Sequence, residues 1–217
     1  MLKKLKDPVS GFSHLFGAIM SLIGLVVLVY YAAVTATPWH VVSFSIYGAS
    51  LILLFTFSTL YHLLFISEKG TDLLRRIDHI MIYVLIAGSY TPICLIPLRG
   101  AWGWSLLGSI WGIAIVGIIL KVLWFNAPRW LSTLFYIIMG WLIVIAFIPL
   151  LRAIPTGGIA WMVLGGILYS IGAIIYGTKW PKLNLKFFGF HEIFHLFVLA
   201  GSFCHYWLMY RYILFLR

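Results

Sequence analysis

The sequence predicts an all-α polytopic membrane protein, a bundle of seven transmembrane helices, on three observations. Its 217 residues are 63% hydrophobic and only 9% charged, with a mean hydropathy of +1.07, whereas soluble domains carry about 25% charged residues. Seven apolar runs follow one another across short polar gaps, each near the roughly 20 residues a helix needs to cross about 30 Å of hydrocarbon. The basic residues fall unevenly into alternate gaps, as expected of a chain threaded back and forth through a bilayer. The formal charge of +10 forms no stripe with interleaved stacking aromatics, which excludes nucleic acid as a partner.

Each span is delimited by its own punctuation. The first runs from Leu15 to about Thr35 behind Lys3, Lys4 and Lys6; it is longer than the roughly 7 to 15 apolar residues of a cleaved signal segment, and more spans follow, so it is expected to stay as a helix. The second, Val41–Phe65, begins after Pro38 and ends before Glu68-Lys69-Gly70. The third, Asp78–Pro97, stops at Pro97 with Arg99-Gly100 behind it, and the fourth, Trp102–Trp124, ends at Asn126-Ala127-Pro128-Arg129. The fifth, Leu131–Leu151, closes at Pro155-Thr156-Gly157-Gly158, the sixth, Ile159–Gly177, at the stretch from Lys179 to Asn184, and the seventh is Glu192–Leu214. Proline and glycine clusters of this kind end helices, and connections this short imply one seven-span membrane domain over residues 1–217.

Counting Lys and Arg orients the chain. The N-terminus and the second, fourth and sixth loops hold Lys3, Lys4, Lys6, Lys69, Arg75, Arg76, Lys121, Arg129, Lys179, Lys182 and Lys186, eleven in all, against four on the other side, Arg99, Arg152, Arg211 and Arg217. The positive-inside rule then puts the N-terminus in the cytoplasm and the C-terminus outside. Tryptophans such as Trp39, Trp102, Trp104, Trp124, Trp130, Trp161 and Trp180 sit near span ends as an interfacial belt. Cys94 and Cys204 lie inside apolar runs and read as small hydrophobes.

The candidate site emerges from the few polar residues that this topology places at one depth. His191-Glu192-Ile193-Phe194-His195 opens the seventh span, and helical positions four apart lie about 40° apart around the axis and about 6 Å along it, which is metal-ligand spacing. His62 near the inner end of the second span, Asp78 and His79 at the start of the third, and His14 in the first share that level, whereas His40 falls in an outer loop. Ionisable groups at membrane depth are costly and mark functional sites. Three imidazoles, His62, His191 and His195, supply the three-ligand, open-position set of catalytic zinc. Ser58, one turn deeper than His62 on the same face, either bonds the reacting water or a substrate carbonyl, or back-bonds to its own helix. Asp78 is a general base or an orienting partner for a ligand histidine, or else an ion-pair partner of Arg75 or Arg76 or a helix cap. His205 lies about 21 Å beyond His191 along the helix and cannot share the metal.

The set Ser58-x-x-x-His62, Asp78 within Arg75-Arg76-Ile77-Asp78-His79, Ala87-Gly88-Ser89-Tyr90-Thr91-Pro92, and His191-x-x-x-His195 followed by Gly201-Ser202-x-Cys204-His205 resembles the hemolysin III family. That family is the bacterial branch of the progestin and adipoQ receptor family, within a superfamily that includes alkaline ceramidases. The resemblance implies zinc held by His62, His191 and His195, with Ser58 and Asp78 catalytic beside the water, and residence in the bacterial inner (plasma) membrane. The N-terminal motif of relatives, Glu-x-x-Asn-x-x-x-His, is met here by Asp7, Ser10 and His14, with a hydroxyl in place of the amide. His14, Glu192 and His79 are expected to stand behind the ligands and position them rather than bind the metal.

The expected function is a zinc-dependent hydrolase of a lipid amide or ester, ceramidase-like, with membrane lipids as substrate or ligand. Alternatives are a zinc-stabilised receptor or regulator of membrane lipid homeostasis, and the cytolysin that the family's name implies. A zinc-protease reading of His191-Glu192-x-x-His195, with Glu192 as base, lacks the Asp-Gly element that membrane-embedded zinc proteases commonly use as a third ligand.

Overall fold

The computed structural model describes residues 6–124, 127–183 and 188–216. Lys3, Lys4, Asn126, Asn184, Lys186 and Arg217, used above for topology or punctuation, lie outside the described residues. Among the described residues, seven helical spans are long and apolar enough to cross a membrane. They are α1 (Pro8–Thr35), α2 (Pro38–Leu63), α3 (Glu68–Leu95), α4 (Ala101–Leu123), a fifth span made of α5 (Arg129–Trp141), a 3-10 stretch (Leu142–Ala146) and α6 (Phe147–Ala153), then α7 (Thr156–Thr178), and α8 (Phe190–Arg211) extended by a 3-10 turn (Ile213–Phe215).

Two helices begin earlier than hydropathy alone predicts. The first starts at Pro8 rather than Leu15, with proline in the first turn, where a missing N–H costs nothing. The third starts at Glu68 rather than Asp78, because Ser67 caps it by accepting the Gly70 N–H and Glu68 favours the positive end of the helix dipole. Asp78 therefore lies nearly three turns inside α3 and is not its cap. A correction also applies to His40: it sits in the first turn of α2, buried, where its ring and the Thr37 hydroxyl close a capping box.

The fifth span breaks where Pro149 cannot donate to the turn before it. The start of the break is held from α3: the Tyr90 hydroxyl lies 2.7 Å from the Met139 oxygen and 2.8 Å from the Gly140 oxygen, and accepts the Ile143 N–H at 2.9 Å.

Six spans form a closed ring, α1 against α2, α2 against α3, α3 against α5, α5 against α7, α7 against α8 and α8 against α1, while α4 packs on α3 and α5 from outside. The inward stripe of α1 is Ser10, His14, Gly17, Ser21, Gly24, Leu28 and Ala32, small residues at helical spacing that let backbones approach. Gly17 is the tightest of these in effect, since a Cβ there would stand 2.7 Å from Leu199 and 2.8 Å from Phe55. At the end of the ring away from the N-terminus, Leu28, Phe44, Leu208, Met209, Ile213 and Leu214 pack with almost no exposure. The end that carries the N-terminus is polar inside, and a cavity of about 120 Å³ opens from it into the ring.

Candidate metal centre and membrane cavity

Three helix-borne histidines converge at the N-terminal end of the ring. His62 comes from the last turn of α2 and His191 and His195 from the first two turns of α8, and one ring nitrogen from each lies within 4.8 Å of the others. The Nε2 atoms of His62 and His191 are 3.2 Å apart, close to the roughly 3.3 Å that two nitrogens bound at about 2.0 to 2.1 Å would span in a tetrahedral site. A shared proton would also hold two imidazoles at that distance. It would not draw in the third ring, His195, whose centroid lies 4.9 Å from that of His62 and 4.6 Å from that of His191. The donor set fits a metal that favours nitrogen ligands.

The second ring nitrogens of His62 and His195 are already engaged, and the N-terminal segment engages them. Asp7 Oδ2 lies 3.1 Å from His62 Nδ1, and the Asp7 N–H donates to the His62 carbonyl at 3.0 Å. The hydrogen bond with His62 holds the Asp7 carboxyl below its ordinary range, so at neutral pH the carboxylate only accepts and Nδ1 must donate. That leaves Nε2 of His62 as the free lone pair. His195 Nδ1 is 3.3 Å from the Ser10 carbonyl and donates to it, which directs its Nε2 in the same way. Carboxylate and carbonyl partners of this kind set the tautomer and orientation of metal-binding histidines. The positioning role of Asp7 and Ser10 was missed in the sequence; the signal was there in the N-terminal motif, but no spacing rule connects residue 7 to residue 62.

Glu192 is spent on structure. Its Oε2 accepts the Gly189 N–H and its Oε1 accepts the Ser10 hydroxyl, both at 2.7 Å, so it ties the start of α8 to the start of α1. His14 stacks on His195 with ring centroids 3.6 Å apart; neither of its ring nitrogens has a hydrogen-bond partner among the described residues. His79 stands further off: its Nδ1 donates to the Arg75 carbonyl at 2.6 Å and its Nε2 accepts from the Tyr176 hydroxyl at 2.9 Å, and Tyr176 in turn faces the His191 ring at 6.0 Å.

Asp78 of α3 and Ser58 of α2 stand close together, the serine hydroxyl near enough to act on the carboxyl. Both line the cavity together with His14 and His195. Its walls are mostly apolar, with Leu54, Ile82, Ile86 and Val198 prominent, and it reaches Trp141 of α5 and Ser170 of α7, which bond side chain to side chain at 2.9 Å. His205 lines its deep end, edge-on to Tyr169 and against Gly165. A carboxylate, a hydroxyl and one histidine of the cluster, His195, in the lining of an apolar pocket can act on the polar head of a molecule whose tail stays in hydrocarbon.

A family model described as Haemolysin-III related matches residues 2–206. Hemolysin-3 from Bacillus cereus is 45% identical over 197 residues, covering 91% of this chain and 87% of the relative. The Hemolysin-3 homolog of Bacillus subtilis (strain 168) is 42% identical over 197 residues, 91% of this chain and 89% of the relative. More distantly, the monocyte to macrophage differentiation factor of Homo sapiens is 26% identical over 212 residues, 93% of this chain and 82% of the relative.

Proposed function

Because this chain belongs to the haemolysin-III-related family of membrane proteins, we propose that its histidine cluster holds zinc and that it hydrolyses an amide or ester of a lipid at that site. The observation that carries the reading is the convergence of His62, His191 and His195, the last of which lines an apolar cavity together with Asp78 and Ser58. Zinc held by those three histidines would supply a Lewis acid and lower the pKa of water toward about 7. Asp78 receives the proton as the water oxygen attacks the carbonyl carbon, and returns it to the departing amine or alkoxide as the carbon–nitrogen or carbon–oxygen bond breaks. Ser58 stands beside that carboxylate in the cavity lining, and the apolar walls hold the acyl chain and exclude bulk water. The excess of Lys and Arg on one side supports a cytoplasmic N-terminus, and with it a site at the cytoplasmic face of the cell membrane.

The test is turnover. Zinc-loaded protein is expected to release fatty acid from a lipid amide or ester, and Asp78→Asn to lose about 10² to 10⁴ of that rate with its zinc intact. No release from any lipid amide or ester, with Asp78→Asn and wild type alike, would sink the proposal. A second reading, a zinc-stabilised regulator, is favoured by the cluster joining α2 to α8. Chelation separates the two, since removing a structural zinc unfolds the bundle and removing a catalytic one abolishes only turnover. The relatives' name implies lysis of membranes. Here the packed apolar far end lacks the polar stripe that a conducting pore usually needs.

A further inference from the structure

The inner ends of α3, α4 and α5 carry three cations that the metal centre does not use. Lys121, in the last turn of α4, is only 6% exposed, with its ammonium 3.2 Å from the Ser132 hydroxyl, and Arg75 and Arg129 are close enough to act on its charge. The Arg129 guanidinium lies over the Tyr176 ring at 4.7 Å and beside Phe190 at 5.9 Å. Its Nη1 is buried without a hydrogen-bond partner among the described residues. Basic residues that merely orient a membrane protein extend their stems and keep the charge in water, and neither Lys121 nor Arg129 does so. Lys121 is buried and Arg129 half-buried beside an exposed Arg75; like charges this close repel, and a buried guanidinium N–H left without an acceptor is costly.

We propose that Arg75, Lys121 and Arg129 form a binding site for a phosphate group, that of a phospholipid headgroup. A planar fork and a compact ammonium are the pair of donors that phosphate oxygens suit, and basic pockets between transmembrane helices take anionic headgroups. Depth agrees, because Trp124 and Trp130 flank the cluster at 54% and 61% exposure, where an interfacial belt meets the headgroup layer. Tyr176 separates the two sites, with Arg129 on its face and the His191 ring 6.0 Å from its own. A lipid whose phosphate sits at Arg129 would therefore present its ester linkages toward the histidines. That substrate assignment, an anionic phospholipid, rests on the hydrolase reading; the phosphate site itself does not.

The test is binding to the purified full-length chain in detergent, with zinc and again under chelation. The probes are dihexanoyl phosphatidylglycerol, the matching uncharged diacylglycerol, and inorganic phosphate. Phosphatidylglycerol is expected to bind at least tenfold more tightly than diacylglycerol, equally with and without zinc. Lys121→Gln and Arg129→Gln should each lose about tenfold, and Lys69→Gln, a change to an exposed lysine in the first turn of α3, should lose nothing. Arg129→Lys keeps the charge without the fork and should lose affinity even if the glutamine variants fold poorly. Inorganic phosphate binding as tightly as the lipid would keep the phosphate site and overturn the lipid as its source. Equal affinity for the charged and uncharged lipids, or equal loss in Lys69→Gln, would overturn the site. Tight, zinc-independent binding of a phospholipid that zinc-loaded protein never hydrolyses would leave the site standing and remove the hydrolase reading.

Discussion

At the scale of single residues, chemistry depends on which atom each side chain leaves free. Asp7 and the Ser10 carbonyl occupy Nδ1 of His62 and His195 and leave their Nε2 atoms facing inward. Outer partners of this kind are worth about 10- to 100-fold in metal affinity. Asp7→Asn is therefore expected to weaken zinc binding by that factor, read by competition with a metal indicator, without removing a ligand; unchanged affinity would demote Asp7 to a surface ion pair. Glu192, with both oxygens bonded to Ser10 and Gly189, is expected to matter for stability more than for turnover. A Glu192→Gln variant that folds normally but loses all hydrolysis, while Asp78→Asn retains it, would reverse the assignment of the base. The three histidines and Asp78 were legible in the sequence because they stand at helical spacing or at one membrane depth. The parts played by Asp7 and Ser10 were not, since a hydrogen bond across 55 or 185 positions leaves no local pattern.

At the scale of elements, hydropathy located every span and misplaced several ends. Runs of apolar residues report where a helix meets lipid, whereas its ends are set by caps, and Ser67 and Pro8 begin α3 and α1 about ten and seven residues ahead of the apolar stretch. His40 was assigned to a loop for the same reason, because the Thr37 cap that draws it into α2 is a polar signal. The break in the fifth span was equally hidden, although Pro149 is plain in the sequence; whether a membrane helix bends or breaks depends on what satisfies the backbone groups around the irregular turn. Here Tyr90 holds the Met139 and Gly140 carbonyls and the Ile143 N–H at the start of the break. Tyr90→Phe is expected to lower stability by about 1 to 3 kcal/mol, seen as a fall in melting temperature in detergent. Gly17→Val, forced against Phe55 and Leu199, is expected to cost a similar 1 to 3 kcal/mol through overpacking.

At the scale of the whole molecule, a ring of six spans with α4 outside is closed by apolar packing at one end and polar at the other. The sequence pattern predicted seven spans and one polar level, yet it could not show which helices face the cavity, because a span apolar all round carries no direction. Nor could it show that Lys121 and Arg129 fold inward, since basic residues at loop edges look alike whether they face water or a pocket. Orientation is testable with the buried native Cys94 and Cys204 as a silent background. In sealed cells an impermeant thiol reagent is expected to label Thr156→Cys, and Lys69→Cys only after permeabilisation; the opposite pattern would invert the bundle. The metal content of the purified protein bears most directly on the proposed centre. We expect one zinc per chain in the wild type and in Asp78→Asn, and none in His62→Ala or His191→Ala. Wild-type protein that takes up no zinc, or histidine variants that hold it as tightly as the wild type, would contradict the zinc site.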